Sequence, residues 1–201
     1  MDTSAQAYSK LSNLVLGFHG CSQETYENVL YKHQPLLPSD KDYDWLGPGI
    51  YFWEQNLERA WQWAHDHHRN PAVIGAVIDL GQCLNLMDSH HIQLLKEQYE
   101  FLKLDFLFSG AVMPENKNIN GDADFLLRKL DCAVIKRLHD TLKQENLLPY
   151  DSVRGLFLEG KPIYPNAGFR EKTHIQISVI NPSCIKGYFS PIKPDTHYSM
   201  P

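Results

Sequence analysis

Apolar positions along the chain alternate between short β-type runs and stretches with helical spacing. Val15-Leu16-Gly17-Phe18-His19-Gly20 is a β-rich run closed by glycine, which predicts an early strand. Ser22 then stands as an N-cap, and Tyr26, Val29 and Leu30 recur at helical spacing, predicting a helix over 23–33. A short amphipathic helix is expected before this, over 3–13. Gly49-Ile50-Tyr51-Phe52-Trp53 reads as a second strand. Asn56 caps a helix over 57–68 whose apolar face is Leu57, Ala60, Trp61 and Ala64. Residues 72–80 form the most apolar run, expected at the centre of its sheet. Leu84-Asn85-Leu86 continues after a turn at Gly81. Two helical stretches, 89–108 and 122–145, then flank a polar loop over 114–121. Strands resume at 153–158, 173–180 and 185–189. The succession predicts one α+β domain over 1–201, interrupted by a helical insert at about 89–146.

Two loops break this pattern. Residues 34–48 hold three prolines, three aspartates and Gly47. Residues 159–171 are rich in Gly, Pro and Asn. Loops of a dozen residues are commonly functional.

Composition narrows the class. The chain has 201 residues, 43% hydrophobic and 21% charged, which excludes general disorder and gives enough chain for a core without staples. The formal charge of −5 excludes a general phosphate-binding surface but leaves room for a local basic groove. Cys21, Cys83, Cys132 and Cys184 are scattered with no Cys-x-x-Cys pair, against a structural zinc site or a disulfide framework. No apolar run approaches the roughly 18 residues of a membrane span. The N-terminus lacks a signal pattern, so a cytoplasmic protein with no membrane partner is expected.

Three features carry candidate chemistry. Phe18-His19-Gly20 ends the first strand. Gly47-Pro48-Gly49-Ile50-Tyr51-Phe52 follows a polar loop and leads into a helix. His174-Ile175-Gln176-Ile177-Ser178-Val179 opens a late strand on polar residues and precedes Asn181-Pro182-Ser183-Cys184-Ile185. Together they resemble ADP-ribosyltransferases of the diphtheria-toxin and poly(ADP-ribose)-polymerase type, the His-Tyr-Glu class. The resemblance covers roughly 15–85 and 150–190 and suggests a bacterial subgroup.

The resemblance implies a split pair of small antiparallel sheets with an NAD cleft between them, and NAD as substrate. His19 would bond the adenosine ribose, and Gly20 would present its backbone to the nicotinamide amide. Tyr51 would stack on the nicotinamide ring. Strict register puts Gln62 at the family's second aromatic position, so the second stacker is expected to be Trp61 or Trp63, with Trp61 favoured. Loop 34–48 would cover the cofactor through Tyr43 and Trp45, with Gly49 in the binding segment. Gln176 falls where the family has glutamate. A glutamine keeps the hydrogen bond to a ribose hydroxyl but loses the charge that steadies an oxocarbenium-like centre. Glu171 is the nearest candidate carboxylate along the chain. The implied activity is mono-ADP-ribosyl transfer to a protein or nucleic-acid acceptor, as in a toxin or defence effector with a neutralising antitoxin. The alternative reading, motivated by Gln176, is a non-catalytic NAD or ADP-ribose binding module.

Other readings compete at single motifs. His65-Asp66-His67-His68 is read as a polar helix end, with a metal phosphohydrolase as the rival. Cys21 reads as a small buried residue rather than a reactive thiol.

Overall fold

A computed structural model describes residues 14–118, 125 and 127–192. The helix expected over 3–13 lies outside them. Strand β1 (Val15–Ser22) runs directly into helix α1 (Gln23–Leu30), where the Ser22 hydroxyl accepts from the Thr25 amide at 3.2 Å. Helix α1 stops short of the expected residue 33. The Tyr31 and Lys32 amides share the Glu27 carbonyl, and the chain turns left-handed at His33, φ 54°. Strand β2 (Ile50–Glu54) leads to α2 (Leu57–His67), capped by Asn56, whose side chain accepts from the Arg59 amide at 3.0 Å. There follow β3 (Pro71–Ile78), β4 (Cys83–Asn85) and the long α3 (Ser89–Ser109).

The second helix of the insert begins later than the sequence pattern suggests. Leu127–Arg128 forms a short strand, β6, paired with β5 (Asn116–Lys117), and α4 spans Lys129–Gln144. Asn116 supplies the cap from across this ribbon, accepting from the Leu130 and Asp131 amides at 2.9 and 3.2 Å. A helix whose orphan amides are met by a remote side chain carries no local start signal. The chain closes with β7 (Ser152–Phe157), β8 (His174–Val179) and β9 (Ile185–Phe189).

Seven strands form one sheet in the order β4-β7-β8-β2-β1-β3-β9. All neighbours are antiparallel except β4 with β7. The fold is α+β, but the expected pair of separate antiparallel sheets is a single mixed sheet. Its two halves meet at a narrow junction. Strands β1 and β2 pair only at Gly17↔Glu54 and Phe18↔Trp53, whereas β1 and β3 pair from Val15↔Ile78 to Ser22↔Pro71. Strand β3 is interior yet off centre, since β2 is the middle strand. It is apolar throughout because both its faces are covered.

One face of the sheet buries Phe52, Ile74, Ile78, Ile177 and Val179 together with Val29 of α1. The other face has two patches. Trp53 and Val73 lie beneath Ala60 of α2. Leu84, Val153 and Phe157 lie beneath Ile135 and Leu138 of α4, with Leu94 and Leu95 of α3 against them. The two long helices therefore roof the β4–β7 end of the sheet. They are tied to each other by Thr141 Oγ1 donating to Gln98 at 3.0 Å and by Arg137 with Asp105 at 2.7 Å. Among the described residues no helix is long and apolar enough to cross a membrane.

Candidate functional site

Side chains directly opposite each other on paired strands share a face. Register therefore sorts the candidate residues. Trp53 of β2 lies opposite Gln176 of β8, and Tyr51 opposite Ser178. Gly155 and Phe157 of β7 lie opposite Gln176 and His174. Tyr51, Trp53, His174 and Gln176 thus share the face covered by α2 and α4. His19 lies opposite Ile74, on the other face, with its ring 5.8 Å from that of Phe52.

His19 nevertheless reaches across the junction. Its Nδ1 stands 2.8 Å from the Tyr51 carbonyl oxygen, and a carbonyl only accepts, so Nδ1 carries the proton. Among the described residues Nε2 makes no hydrogen bond, which leaves that nitrogen an acceptor. Burial lowers the His19 pKa, the Tyr51 carbonyl opposes that, and His68 adds to it. Beyond Phe18 the β1 edge has no ladder partner on the β2 side.

The Tyr51 phenol is committed to its own loop. It accepts from the Leu46 amide at 2.8 Å and donates to the Gly47 carbonyl at 2.7 Å. Burial pushes its pKa up. The two glycines have steric reasons within the fold. A Cβ on Gly20 would stand 2.5 Å from the Ala60 carbonyl oxygen, so α2 sits directly on that position. A Cβ on Gly49 would collide with the Ser178 hydroxyl and the Val179 carbonyl.

Loop 34–48 divides its two aromatics. Trp45 turns inward, its ring 4.6 Å from Phe157 and stacked near His174 at 6.3 Å, with the Arg128 guanidinium 4.8 Å above it. Tyr43 is exposed, and the Lys41 ammonium lies over its ring, at 5.6 Å. Helix α4 clips the loop through Lys129 with Asp42 at 2.5 Å and Lys136 with Asp40 at 2.7 Å. Trp61 is half-buried on α2. It lines an open groove of about 560 Å³ with Glu58, Gln62, His65, Asp66 and Lys172.

Gln176 is half-buried, and its carboxamide makes no hydrogen bond with the described residues. Glu171 is exposed on its own hairpin, accepting from the Lys161 amide at 3.4 Å. The carboxylate that reaches the face of Gln176 is Glu159, two residues past β7. It lies 2.8 Å from Arg59 Nη2, 3.8 Å from His174 Nδ1 and 4.0 Å from Lys172 Nζ. Sequence reasoning missed Glu159 and Arg59 because they are remote in the chain and belong to no motif. The one signal was in β8, where polar His174, Gln176 and Ser178 alternate with apolar Ile175, Ile177 and Val179.

This corner also holds buried polar atoms without partners. Trp53 Nε1, Arg59 Nε and His174 Nε2 are inaccessible and make no hydrogen bond among the described residues. His174 Nδ1 donates to the Lys172 carbonyl at 2.6 Å, so in the neutral ring Nε2 is a lone-pair acceptor. Burial lowers the His174 pKa, as it does that of His139.

Three depressed histidines make a prediction about pH. His19, His139 and His174 bind protons less readily folded than unfolded, where the value is 6.5. Between the folded values and 6.5 the unfolded chain holds more protons, so stability rises with pH there. Urea midpoints are expected to be level above pH 7 and to fall from about pH 6.5 toward pH 5. A flat profile across that interval would show that the three rings are not buried neutral.

The polar end of α2 is otherwise occupied. His67 Nδ1 bonds the Trp63 carbonyl at 2.8 Å and its ring stacks on Trp63 at 4.3 Å. Among the described residues no group of three or more His, Cys, Asp or Glu side chains is placed to hold a metal ion. Cys21 is buried, and its thiol pKa is pushed up to about 11.

No protein-family model matches the chain. It is similar to an uncharacterized protein of the archaeon Methanocaldococcus jannaschii, 28% identical over 196 residues, which span 84% of this chain and 83% of that protein.

Proposed function

We propose that the protein is an NAD-dependent ADP-ribosyltransferase that releases nicotinamide and moves ADP-ribose to an acceptor. The observation that carries this reading is the junction of β1 and β2. There the ladder stops after two pairs, His19 Nδ1 holds the Tyr51 carbonyl, and among the described residues an imidazole acceptor and a strand edge are left without partners. Unpaired backbone groups at such an opening are ready donors and acceptors for a ligand amide.

Because His19 lies on the face opposite Tyr51 and Gln176, this reading requires the ligand to pass through the gap between β1 and β2, where His19 Nε2 takes a hydroxyl of the adenosine ribose and the Gly20 backbone takes the nicotinamide carboxamide. The Tyr51 ring, fixed beforehand by its two loop bonds, is one wall for the nicotinamide, and Trp61, on the groove that α2 forms with Lys172, is the second stacker. Trp45, Tyr43 and Gly49 belong to the loop that closes over the ligand. Gln176 bonds the nicotinamide ribose. Glu159 supplies the negative charge that glutamine lacks, taking the role first sought at Glu171. The partners are NAD and a protein or nucleic-acid acceptor, with a neutralising antitoxin if the protein is a toxin. NAD is consumed, and no resident cofactor is required.

Calorimetry with NAD, followed by chromatography for nicotinamide, tests the reading. Wild-type protein is expected to bind NAD and release nicotinamide. His19→Ala is expected to weaken binding at least about tenfold, the loss of one hydrogen bond in an enclosed site. Affinity unchanged by this substitution rejects the junction as the site. Binding without nicotinamide release, with protein and nucleic-acid acceptors supplied, favours the non-catalytic module.

A further inference from the structure

The second half of α3 is apolar on every side. From Phe101 to Phe108 the chain reads Phe-Leu-Lys-Leu-Asp-Phe-Leu-Phe, with charge only at Lys103 and Asp105. A helix that is apolar all round belongs inside a core. One side of this segment has its core: Leu102 is buried, and Gln98 and Asp105 are tied to Thr141 and Arg137 of α4. The opposite side has none among the described residues. Phe101 and Leu104 are about half exposed, and Leu107 and Phe108 are 73% and 84% exposed. Val112, just past the left-handed Gly110 that caps the helix, is 93% exposed.

Phe101, Leu104 and Phe108 stand three and four residues apart, so they lie along one face of the helix, flanked by Leu107. A single chain seldom leaves more than about 600 Å² of apolar surface in one piece. Weighted by their exposures, these five side chains offer on the order of 700 Å² per copy, or about 1,400 Å² for two copies, within the roughly 1,200–2,000 Å² of a stable interface.

The border of the patch decides what covers it. Glu97, Glu100 and Lys103 line it, with Lys103 donating to Glu100 at 3.0 Å. Helices that lie on anionic lipid carry a basic border, and two carboxylates against one ammonium do not supply it. A border of both signs likewise offers no field to select a strongly charged partner. A second copy matches it, apolar centre to apolar centre and mixed border to mixed border.

We propose that this face of α3 is a homodimer interface, with two copies packed antiparallel about a two-fold axis near Leu104. The direction follows from the carboxylates. Parallel helices would set Glu97 beside Glu97 and Glu100 beside Glu100, whereas antiparallel helices hold like charges apart. The axis then brings Leu104 of one protomer against Leu104 of its partner, and Phe101 level with Leu107. The seam is two turns long, so the dimer is expected to be of micromolar affinity. It is independent of the NAD reading and stands or falls without it.

The test is sedimentation equilibrium of the full chain over a range of concentrations. Wild-type protein is expected to show twice the chain mass at about 100 µM and to return to the single mass below about 1 µM. Leu104→Glu and Phe108→Glu are each expected to weaken association at least about 100-fold, leaving monomer at the higher concentration. Urea midpoints of the variants check folding; Phe108→Glu, at so exposed a position, serves if Leu104→Glu loosens the helix. Wild-type protein that stays monomeric at about 100 µM overturns the inference. A dimer that survives in both folded variants overturns it too, by placing the contact elsewhere. A monomer that binds vesicles of anionic lipid through Phe108 also overturns it and makes the patch a membrane surface.

Discussion

Glu159→Ala is expected to destabilise the protein by about 3 kcal/mol, the lower end for breaking a buried ion pair. The lower end applies because Glu159 keeps 20% of its side-chain surface, while Arg59 keeps only 8%. The loss comes less from the missing attraction than from what is stranded. Among the described residues Arg59 already carries an unmet Nε, and without the carboxylate only Gln62, at 2.9 Å, remains on the guanidinium. Glu159→Gln keeps an acceptor of the same shape, so it should lose roughly half as much, since charge-assisted bonds are about twice as strong as neutral ones. Arg59→Met combined with Glu159→Ala should recover most of the deficit, because no buried charge is then left over. Urea denaturation at pH 7.5, with a constant slope, reads all three. A loss below about 1 kcal/mol in Glu159→Ala would place the pair among ordinary solvated ones.

This pair also shows where sequence reading stopped. Strand runs were legible because alternation and apolar blocks are local. β1, β2, β7, β8 and β9 begin and end within two residues of their patterns. Helix α2 was equally plain from Asn56 and its apolar face. What failed was whatever a distant residue decides. Asn116 sets the start of α4, and the β5–β6 ribbon displaces its first turn. Strand order is a property of pairing, so the parallel β4–β7 contact and the single sheet were invisible. The site divides in the same way. His19, Tyr51 and Gln176 stand out in the sequence as motif residues, but only register reveals that His19 lies on the face opposite the other two. Arg59 and Glu159 are 100 positions apart and meet only through the fold. Trp45 was named as a loop contact, and it is the packing on Phe157 and His174 that draws it inward while Tyr43 stays outside.

Tyr51→Phe is expected to cost about 2 kcal/mol of stability while leaving most NAD affinity in place. Among the described residues the hydroxyl is the one group that meets both the Leu46 amide and the Gly47 carbonyl at the turn before β2. Leu46 is completely buried, so its amide has no water to turn to once the oxygen is gone. The ring itself survives the substitution. If it stacks on nicotinamide, the aromatic contribution of about 0.5–1.5 kcal/mol is retained in Tyr51→Phe and lost in Tyr51→Leu, so the two variants should differ about tenfold in NAD affinity at the upper end. Comparing the two variants separates the loop from the ring, because both lack the hydroxyl and both loosen the turn alike. Equal affinities in Tyr51→Phe and Tyr51→Leu would make Tyr51 a core residue whose work is to hold the loop. The nicotinamide wall would then have to come from Trp45 or Trp61, the loop and helix aromatics on either side of the same face.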